Sequence, residues 1–391
     1  MHILALTQHD VLAPRYGGAL RDSMLLKPLL VSGHRVTVIR FRLAAEAPSL
    51  QDPNLPVHDV VVPDSYPIAP IAALTHLLSS HATRFALDLN EKHPIDLIQS
   101  DPPWAALTGA RVANRLHVPH VILSQNCESK LAAQIARTTP ARRMPVVGRL
   151  ISGFNLAVLQ WAEKRAIANA DLTLTPSAHD RQEMESVGIP TGRVEITPNG
   201  TSTFELSGAA RARTKHRLGL DTAPTVIFAG RLDYPPNTEA VRTICEAIAP
   251  QCPRVLFILV GLNPPLNKWP PNVRAVGYVD DINDYFNASD LSIAPITFGS
   301  GTRLKILDSW SAGVPVVSTS VAASGLEYAD GVNIVIEDDL KQFPQRIQEL
   351  LDSGNCLAKL RRGALQAAEP YHWDVIGRQY VKRLEALVRQ S

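Results

Sequence analysis

One segment combines the signals of a strand, a tight turn and a helix: Ile293-Ala-Pro-Ile-Thr-Phe-Gly-Ser-Gly-Thr-Arg-Leu-Lys-Ile-Leu-Asp-Ser-Trp-Ser-Ala-Gly313. A short apolar run from Leu291 to Ile296 predicts a buried strand at its start. Gly299 and Gly301 then allow a tight turn, and a helical pattern runs from about Thr302 to the last glycine. A strand, a glycine turn and a helix start together present free backbone N–H groups to an anion.

One face of the predicted helix carries groups that suit a nucleotide. Four residues at spacings of four, three and four share that face: Gly301, Lys305, Asp308 and Ala312. The helix-start amides and the Lys305 ammonium suit phosphates, whereas the Asp308 carboxylate, one turn further, suits hydroxyls. The pattern therefore predicts a binding site for a nucleoside diphosphate. An ordinary turn followed by a solvent-exposed Lys–Asp pair would have the same spacing, so that interpretation stays open.

Short apolar runs alternate with segments of helical spacing along the whole chain. In the first half, the runs that predict strands are Ile3–Thr7, Val36–Phe41, Val57–Val62, Leu97–Gln99, His120–Ser124, Leu172–Thr175 and Val194–Thr197. In the second half, they are Thr225–Ala229, Val255–Val260, Val273–Tyr278, Leu291–Ala294, Pro315–Thr319 and Asn333–Ile336. The helical segments between them include Ala19–Leu30, Asn237–Ala249, Ile282–Ala288, Arg303–Ala312 and Leu340–Leu351. This alternation predicts an α/β protein with doubly wound parallel sheets covered on both faces.

The pattern divides into two domains of similar size. We expect a first domain over 1–200 and a second over 201–370, with the polar stretch Asn199–Asp221 as the link between them. Ligands of such sheets bind beyond the carboxyl ends of the strands. The loop that contains Gly17 and Gly18 follows the first strand and could bring backbone amides to a ligand, although a plain loop fits the spacing equally well.

The composition is that of an ordinary globular protein, with 391 residues, 45% hydrophobic and 19% charged. A net charge of +2 gives no reason to expect nucleic acid as a partner. The four cysteines are scattered and form no metal-binding pair, which is typical of a reducing compartment. The first residues lack the pattern of a signal peptide, and no apolar run reaches the ~18 residues that span a bilayer. The sequence therefore predicts a cytoplasmic protein.

Two further features bear on function. Arg231 follows the first strand of the second half, where its guanidinium could hold a phosphate; a surface ion pair is the alternative. The long stretch 130–168 interleaves arginines and lysine with apolar residues. Such a stretch predicts either peripheral contact with an anionic membrane, at its inner face, or binding of a lipid-linked acceptor. A pair of core helices with one solvated face would have the same composition.

Several motif families are absent. The sequence has no Gly-x4-Gly-Lys-Ser/Thr phosphate loop, and the glycine turn at 299–304 lacks the third glycine of a dinucleotide fingerprint. No acidic residue stands about twenty residues further on, where a dehydrogenase binds the ribose. A dehydrogenase is therefore disfavoured.

Three segments of the second half resemble the nucleotide-sugar domain of the family 4 glycosyltransferases: Gly230–Val241, Val279–Pro295 and Gly301–Thr319. The first half resembles the family more loosely, through Gly17-Gly18, Asp96–Asp101, Gln125–Ser129, Trp161–Arg165 and Thr197–Gly200. The resemblance implies the GT-B fold, in which two Rossmann-like domains face each other across a cleft. It also implies a last helix, about 371–391, that crosses back to the first domain.

The resemblance further implies transfer of a sugar from a nucleotide donor, with retention of anomeric configuration and without a bound metal or other cofactor. The acceptor would be a glycan, a lipid-linked molecule or a small molecule, most often in exopolysaccharide or cell-envelope glycan synthesis. A non-catalytic nucleotide-sugar-binding protein and a nucleotide-sugar epimerase or hydrolase are the alternatives that the sequence leaves open.

Site residues follow from the same resemblance. Arg231 and Lys305 correspond to the diphosphate cations, and Gly301, Thr302 and Arg303 to the helix-start amides. Asp308 stands where the family usually has the glutamate that binds the ribose, and Tyr278 with Val279 forms the segment that contacts the base.

The chain also departs from the family pattern. Ser300 replaces a glutamate that contacts the donor sugar, and Pro236 stands where a lysine is usual. Asp101 and Gln125 replace two histidines of the first domain. Asp101 or Glu128 is then the candidate to act as a base or to orient the acceptor.

Overall fold

The protein is described from a computed structural model. Its described residues are 1–62, 80–101, 104–138, 146–204, 208–221, 223–265, 268–279, 281–299, 301 and 304–391. They form two compact units, of which the first comprises Met1–Pro198 with Asp374–Ser391 and the second comprises Asn199–Trp373. Each unit is a sheet of parallel strands covered by helices.

The first unit contains a seven-stranded sheet. Its strands are β1 (His2–Thr7), β2 (Arg35–Leu43), β3 (Val57–Val62), β4 (Leu97–Ser100), β5 (His120–Leu123), β6 (Leu172–Thr175) and β7 (Val194–Ile196). Its helices are α1 (Gly17–Val31), α2 (Ser80–Lys92), α3 (Trp104–Leu116), α4 (Glu128–Thr138), α5 (Val146–Ala168) and α6 (Ala178–Ser186). The strand order is β3-β2-β1-β4-β5-β6-β7, and every pairing is parallel. The order changes direction between β1 and β4, which is where open α/β sheets bind ligands.

The second unit contains a six-stranded parallel sheet in the order β10-β9-β8-β11-β12-β13. Its strands are β8 (Thr225–Ala229), β9 (Leu256–Val260), β10 (Val273–Gly277), β11 (Leu291–Ala294), β12 (Val316–Ser318) and β13 (Val335–Ile336). Its helices are α7 (Gly208–Arg217), α8 (Pro235–Thr243), α9 (Asn283–Ala288), α10 (Leu304–Ser311), α11 (Ser320–Ala323), α12 (Phe343–Leu351) and α13 (Gly354–Ala368). The order here changes direction between β8 and β11.

All the apolar runs that predicted strands are strands in the structure, and no end is shifted by more than two residues. The runs were readable because parallel strands are buried on both faces and are therefore apolar at nearly every position. The helix predicted over Asn237–Ala249 begins two residues earlier, at Pro235, where the ring fits a first helical turn. This helix is α8, which ends at Thr243. A π-helical turn over Ile244–Ile248 then continues the predicted segment. The predicted α/β class with two doubly wound sheets is confirmed.

The prediction that Asn199–Asp221 links two domains is wrong. These residues belong to the second unit, and Gly208–Arg217 forms helix α7. Phe204 and Leu220, on either side of that helix, are buried in an apolar cluster with Ile227 and Phe286. The stretch looks polar because Arg213, His216 and Arg217 of the helix are exposed, while Phe204 and Leu220 beside it enter the core.

The basic stretch 130–168 lies in two helices, α4 and α5, and residues 139–145 between them lie outside the described residues. Within α5, Ala162, Glu163 and Ala166 are buried against the sheet. Phe154 and Trp161 on the same helix are exposed. None of the helices, as far as the described ranges extend, is long and apolar enough to cross a membrane.

The last helix, α14 (Trp373–Gln390), belongs to the first unit from Asp374 onward. The hydroxyl of Tyr380, which is fully buried, donates a hydrogen bond to Gln99 in β4. Glu385 accepts a hydrogen bond of 3.1 Å from His34. The two ends of the chain therefore build one core.

Two glycines bring the ends of β8 and β9 close together. Gly261 has φ +149°, and a Cβ atom there would lie 1.7 Å from the carbonyl oxygen of Gly230. The amide of Gly230, in turn, donates to the carbonyl of Val260 at 3.0 Å. This close approach constrains the backbone of the turn after β8, and Arg231 follows directly from that turn.

Substitution of Gly261 tests this close approach. Gly261→Ala should lower the free energy of unfolding by about 3 kcal/mol or more, because it adds a steric clash to left-handed strain. Gly277→Ala is the matched control, since Gly277 has φ +83° but no atom within 4 Å of an added Cβ. That variant should lose only about 1–2 kcal/mol of stability. Urea unfolding measures both, and equal losses would contradict the close approach.

Candidate functional site

The candidate site residues lie at two edges, one in each unit. We call the carboxyl ends of β8 and β11, with the turns that follow them, the second-unit edge. We call the carboxyl ends of β1, β4 and β5, with the residues that follow them, the first-unit edge. Each edge lies where the strand order of its sheet changes direction.

Arg231 lies at the second-unit edge, directly after the glycine turn of β8. Its Nε donates to a carboxylate oxygen of Asp233 at 3.0 Å, and its guanidinium lies 5.9 Å from the centre of the Tyr234 ring. The side chain is 44% exposed. A guanidinium oriented by these contacts can also bind a phosphate through a bidentate pair of hydrogen bonds.

Lys305 lies in the first turn of α10 and is buried. Its Nζ donates to Oδ1 of Asn237 at 2.8 Å. The same ammonium lies 3.7 Å from the centre of the Phe228 ring, which attracts a cation through its face. The structure therefore places an ammonium at the start of a helix, where the backbone also favours anions.

Asp308 follows on the same helix, one turn from Lys305. Its Oδ1 accepts a hydrogen bond of 2.7 Å from the hydroxyl of Thr201. Burial raises the pKa of Asp308 to about 7, although the Thr201 hydrogen bond opposes that rise. Near neutral pH the carboxyl group is therefore divided between a form that donates and a form that accepts hydrogen bonds, and both forms can bind hydroxyls.

The glycine turn before α10 exists as predicted. Gly299 has φ +116° and Gly301 has φ +79°, both in the left-handed region that favours glycine. Helix α10 spans Leu304–Ser311, and the start that the sequence predicted, at about Thr302, lies outside the described residues. The predicted site residues Ser300, Thr302 and Arg303 lie outside the described residues.

The segment predicted to contact the base follows β10. The Tyr278 side chain is 51% exposed, so its ring is accessible to a planar ligand. Val279 is partly buried and packs against the apolar cluster of Phe286. The two residues therefore differ: Tyr278 faces solvent, and Val279 anchors the segment.

At the first-unit edge, the predicted glycine pair Gly17-Gly18 begins helix α1. Tyr16 before it is extended and provides no side-chain cap to the helix start. A Cβ atom at Gly18 would lie 2.9 Å from Cε1 of His9. The glycine is therefore needed for the imidazole of His9 to pack beneath the helix start.

His9 joins a buried cluster of carboxyl groups. Its Nδ1 lies 2.8 Å from Oδ2 of Asp22 and 3.4 Å from Oδ2 of Asp101. The hydroxyl of Thr7 lies 2.9 Å from Asp22 and also contacts Asp101. Gln125 donates to the other oxygen of Asp22 at 2.9 Å. Polar residues that follow three neighbouring strands thus meet at one point, together with Asp22 from α1.

The three titratable groups of the cluster, His9, Asp22 and Asp101, have pKa values shifted in different directions. Burial alone would lower the pKa of His9, but the Asp22 carboxylate outweighs burial and raises that pKa to about 9. Burial opposes ionisation of Asp22 as well, yet the charge of His9 holds the pKa of Asp22 below its usual value. Burial and the neighbouring Asp22 raise the pKa of Asp101 well above its usual value. At neutral pH the cluster therefore consists of an imidazolium, a carboxylate and a carboxylic acid.

Glu128 begins helix α4 beside this cluster. Its own amide and that of Ser129 donate to the two carboxylate oxygens of Glu163, at 2.7 and 3.0 Å. Asn126 donates to the Glu128 side chain at 3.1 Å. Burial raises the pKa of Glu128 to about 7, so this group can both take up and release a proton near neutral pH.

His9, Asp22 and Asp101 each offer one ligand atom, and these atoms lie within 4.8 Å of one another. A divalent cation would fit such a set only if His9 lost its proton, because metals bind the neutral imidazole. The hydrogen bond of His9 to Asp22, with the Asp101 carboxyl group nearby, instead stabilises its protonated form. A proton-sharing role therefore fits these residues better than a metal-binding role.

Four residues that the structure places at or beside the two edges could not be identified from the sequence: His9, Asp22, Thr201 and Asn237. A signal existed for His9, since it follows β1 as Asp101 follows β4, and adjacent parallel strands end at one edge. Asn237 lies within a segment that resembled the family, but its contact with Lys305 depends on how α8 and α10 pack.

The proton on His9 generates a test of pH dependence. A histidine with a folded-state pKa of about 9, against 6.5 when unfolded, adds stability that is complete below pH 6.5 and is lost as pH rises through 9. The wild-type protein should therefore lose on the order of 3 kcal/mol of unfolding free energy between pH 6.5 and 10 that His9→Gln does not lose. Urea unfolding across this pH range measures the difference, and His179→Gln, an exposed site, should behave as wild type. Parallel curves for wild type and His9→Gln would contradict the assignment.

Two family models match the chain, and together they cover most of it. The model described as "Glycosyl transferase 4-like domain" matches residues 17–200, and the model described as "Glycosyl transferases group 1" matches residues 223–353. A D-inositol 3-phosphate glycosyltransferase of Thermobispora bispora is 25% identical over 261 residues, covering 60% of this chain and 61% of that protein. A phosphatidyl-myo-inositol mannosyltransferase of Mycobacterium leprae is 26% identical over 250 residues, covering 61% and 63%. The chain thus spans about three fifths of the length of these curated relatives.

Solved structures with a similar fold cover the chain from end to end. Sucrose-phosphate synthase from Thermosynechococcus elongatus has a TM-score of 0.77 at 15% identity and covers 100% of both chains. Anabaena Alr3699/HepE, solved in complex with UDP and glucose, has a TM-score of 0.71 at 17% identity and covers 98% of this chain and 99% of its own. The two family models and the two parallel-sheet units together show that the chain belongs to the family 4 glycosyltransferases and has their GT-B fold.

Proposed function

We propose that the protein transfers a sugar from a nucleoside-diphosphate donor to an acceptor hydroxyl, with retention of anomeric configuration, in the synthesis of a cell-envelope glycan or exopolysaccharide. One observation carries the proposal: the buried ammonium of Lys305 lies at a helix start that follows a glycine turn, on the same sheet edge as Arg231. This combination provides a cation, backbone amides and a guanidinium for a diphosphate.

The second-unit edge would stabilise the leaving group. As the glycosidic bond lengthens, the departing nucleoside diphosphate gains negative charge. Lys305, Arg231 and the amides at the start of α10 would bind that charge more tightly in the transition state than in the ground state. Asp308 would bind the ribose hydroxyls, and Tyr278 would contact the base.

The first-unit edge would bind the acceptor. Its residues are carboxyl groups, an amide and an imidazolium, which suit the hydroxyls of a sugar or polyol. Glu128, whose pKa is about 7, can take up a proton from an acceptor hydroxyl. Asp101 already holds a proton shared with Asp22 and is therefore better suited to orient the acceptor than to act as its base. Transfer of the hydroxyl proton to the leaving phosphate is the other route.

The relatives narrow the candidates for donor and acceptor. Two of them are named for inositol-phosphate or phosphatidylinositol acceptors, and a related structure holds UDP and glucose. We propose a UDP-, GDP- or dTDP-sugar as donor, and a polyol, glycan or lipid-linked molecule as acceptor. The reaction would require no added metal, so transfer should persist in EDTA. A thermal-shift panel of these nucleotide sugars identifies the donor.

Loss of Lys305 is the direct test of the proposed function. Lys305→Ala should reduce kcat/KM for transfer by about 10²–10³, because it removes a preorganised charge from the leaving group. Lys215→Ala is the matched control: it removes a lysine of the same unit that pairs with Asp290 at 2.6 Å, at the opposite edge of the sheet. That variant should transfer sugar at the wild-type rate. Unchanged turnover in Lys305→Ala would contradict the proposal, and donor binding without turnover in the wild type would favour a non-catalytic binding protein.

We also propose that α5 contacts an anionic membrane. Phe154 and Trp161 are 62% and 51% exposed and lie seven residues apart, so they occupy the same face of the helix. Arg165, one turn beyond Trp161, is also exposed and adds a positive charge to that face. Aromatic side chains with a nearby cation are typical of helices that bind the surface of anionic bilayers.

Liposome flotation tests this contact. The double variant Phe154→Ser/Trp161→Ser should bind vesicles containing phosphatidylglycerol at least about tenfold more weakly than wild type, because it loses two exposed aromatic rings that would enter the bilayer surface. Val31→Ser is the control, since Val31 is 89% exposed elsewhere in the same unit. Wild-type protein that stays with the soluble fraction at low salt would contradict the membrane contact.

A further inference from the structure

Asn237 connects the two cations of the second-unit edge. It lies in the first turn of α8 and is buried. Its Oδ1 accepts the hydrogen bond from Nζ of Lys305, at 2.8 Å. Its Nδ2 donates to the carbonyl oxygen of Arg231, also at 2.8 Å. One side chain thus touches the ammonium of one cation and the backbone of the other.

The surroundings of Asn237 require an amide. Lys305 presents only donors and the Arg231 carbonyl presents only an acceptor, so the group between them must accept on one side and donate on the other. An aspartate would satisfy Lys305 but would set a carboxylate oxygen against the carbonyl. An alanine would leave both neighbours without this partner.

Gly230 shows how closely these groups approach. A Cβ atom at Gly230 would lie 3.0 Å from Nδ2 of Asn237 and 3.4 Å from Nζ of Lys305. The carbonyl of Arg231 also accepts a hydrogen bond from the amide of Tyr234, at 3.2 Å. The turn after β8, the start of α8 and the start of α10 therefore meet around a single amide group.

We propose that Asn237 is a positioning residue, which fixes the Lys305 ammonium and the Arg231 backbone at the separation that a diphosphate requires. The inference rests on the proposed function, because it assumes that these two cations bind the donor. Asn237 acts through Lys305 and orients its ammonium without itself carrying charge. Its neutrality matters, since a carboxylate in its place would neutralise the ammonium.

Nucleotide binding by a small set of variants tests the inference. The probes are UDP, GDP and dTDP, measured by calorimetry, with KM and kcat for the donor where turnover is found. Asn237→Asp should raise Kd for the nucleotide by about 10–100-fold, because it pairs Lys305 with a competing charge. Asn237→Ala should raise it by about tenfold, through loss of orientation.

Thr238→Val is the matched control for a purely structural role. Thr238 is the next residue of α8, and its hydroxyl donates to the backbone carbonyls of Leu232 and Tyr234. This variant should lose stability and keep the wild-type Kd. A loss of affinity in Thr238→Val equal to that in Asn237→Ala would overturn the inference.

A double-mutant cycle separates a positioning role from a general one. In the Lys305→Ala background, Asn237→Asp should change Kd much less than it does in the wild-type background, because only the part of its effect that acts through the Arg231 backbone is left. Independent effects of the two substitutions would overturn the inference, as would an unchanged Kd in Asn237→Asp alone. Failure of the wild-type protein to bind any of UDP, GDP and dTDP would instead overturn the proposed function, and this inference with it.

Discussion

The buried ammonium of Lys305 is the constraint on which the candidate site of the second unit depends. Burying a lysine charge is costly unless polar groups replace the water it loses. In this protein the face of Phe228 and the amide of Asn237 provide part of that replacement, and the dipole of α10 opposes it because the charge lies at the positive end. A diphosphate at the same place would reverse the balance. The same geometry that makes the apo site costly would therefore make the bound site favourable.

The two edges differ in electrostatic character. The second-unit edge holds cations and helix-start amides, whereas the first-unit edge holds an imidazolium paired with one carboxylate, together with the carboxyl groups of Asp101 and Glu128. A diphosphate placed there would meet the Asp22 carboxylate, and the one cation beside it is already paired, while a sugar hydroxyl would find both donors and acceptors. On charge alone, the second-unit edge would suit a diphosphate and the first-unit edge would suit sugar hydroxyls.

The strands could be predicted from the sequence because each was an apolar run bounded by polar turns. Lys305, Asp308 and Arg231 could be identified because their spacing follows one helix and one strand end. The pairs that complete the edges could not: Asp22 meets His9 and Asp101 only after α1 packs on the sheet, and Asn237 meets Lys305 only after α8 and α10 pack. Similarly, helix α7 could not be predicted, because the stretch that contains it is mostly polar. The apolar residues that enter the core, Phe204 and Leu220, lie on either side of the helix.

The return of α14 to the first unit gives the chain an unusual order of assembly. The second unit, 199–373, is synthesised between two pieces of the first. Gln99 leaves the ribosome long before Tyr380, its buried partner in the structure. During translation the second unit can therefore complete its core while the first still lacks a helix. A nascent chain would hold a finished second unit before its first unit is complete, and a chaperone that recognises unfinished surfaces would find them on the half made first.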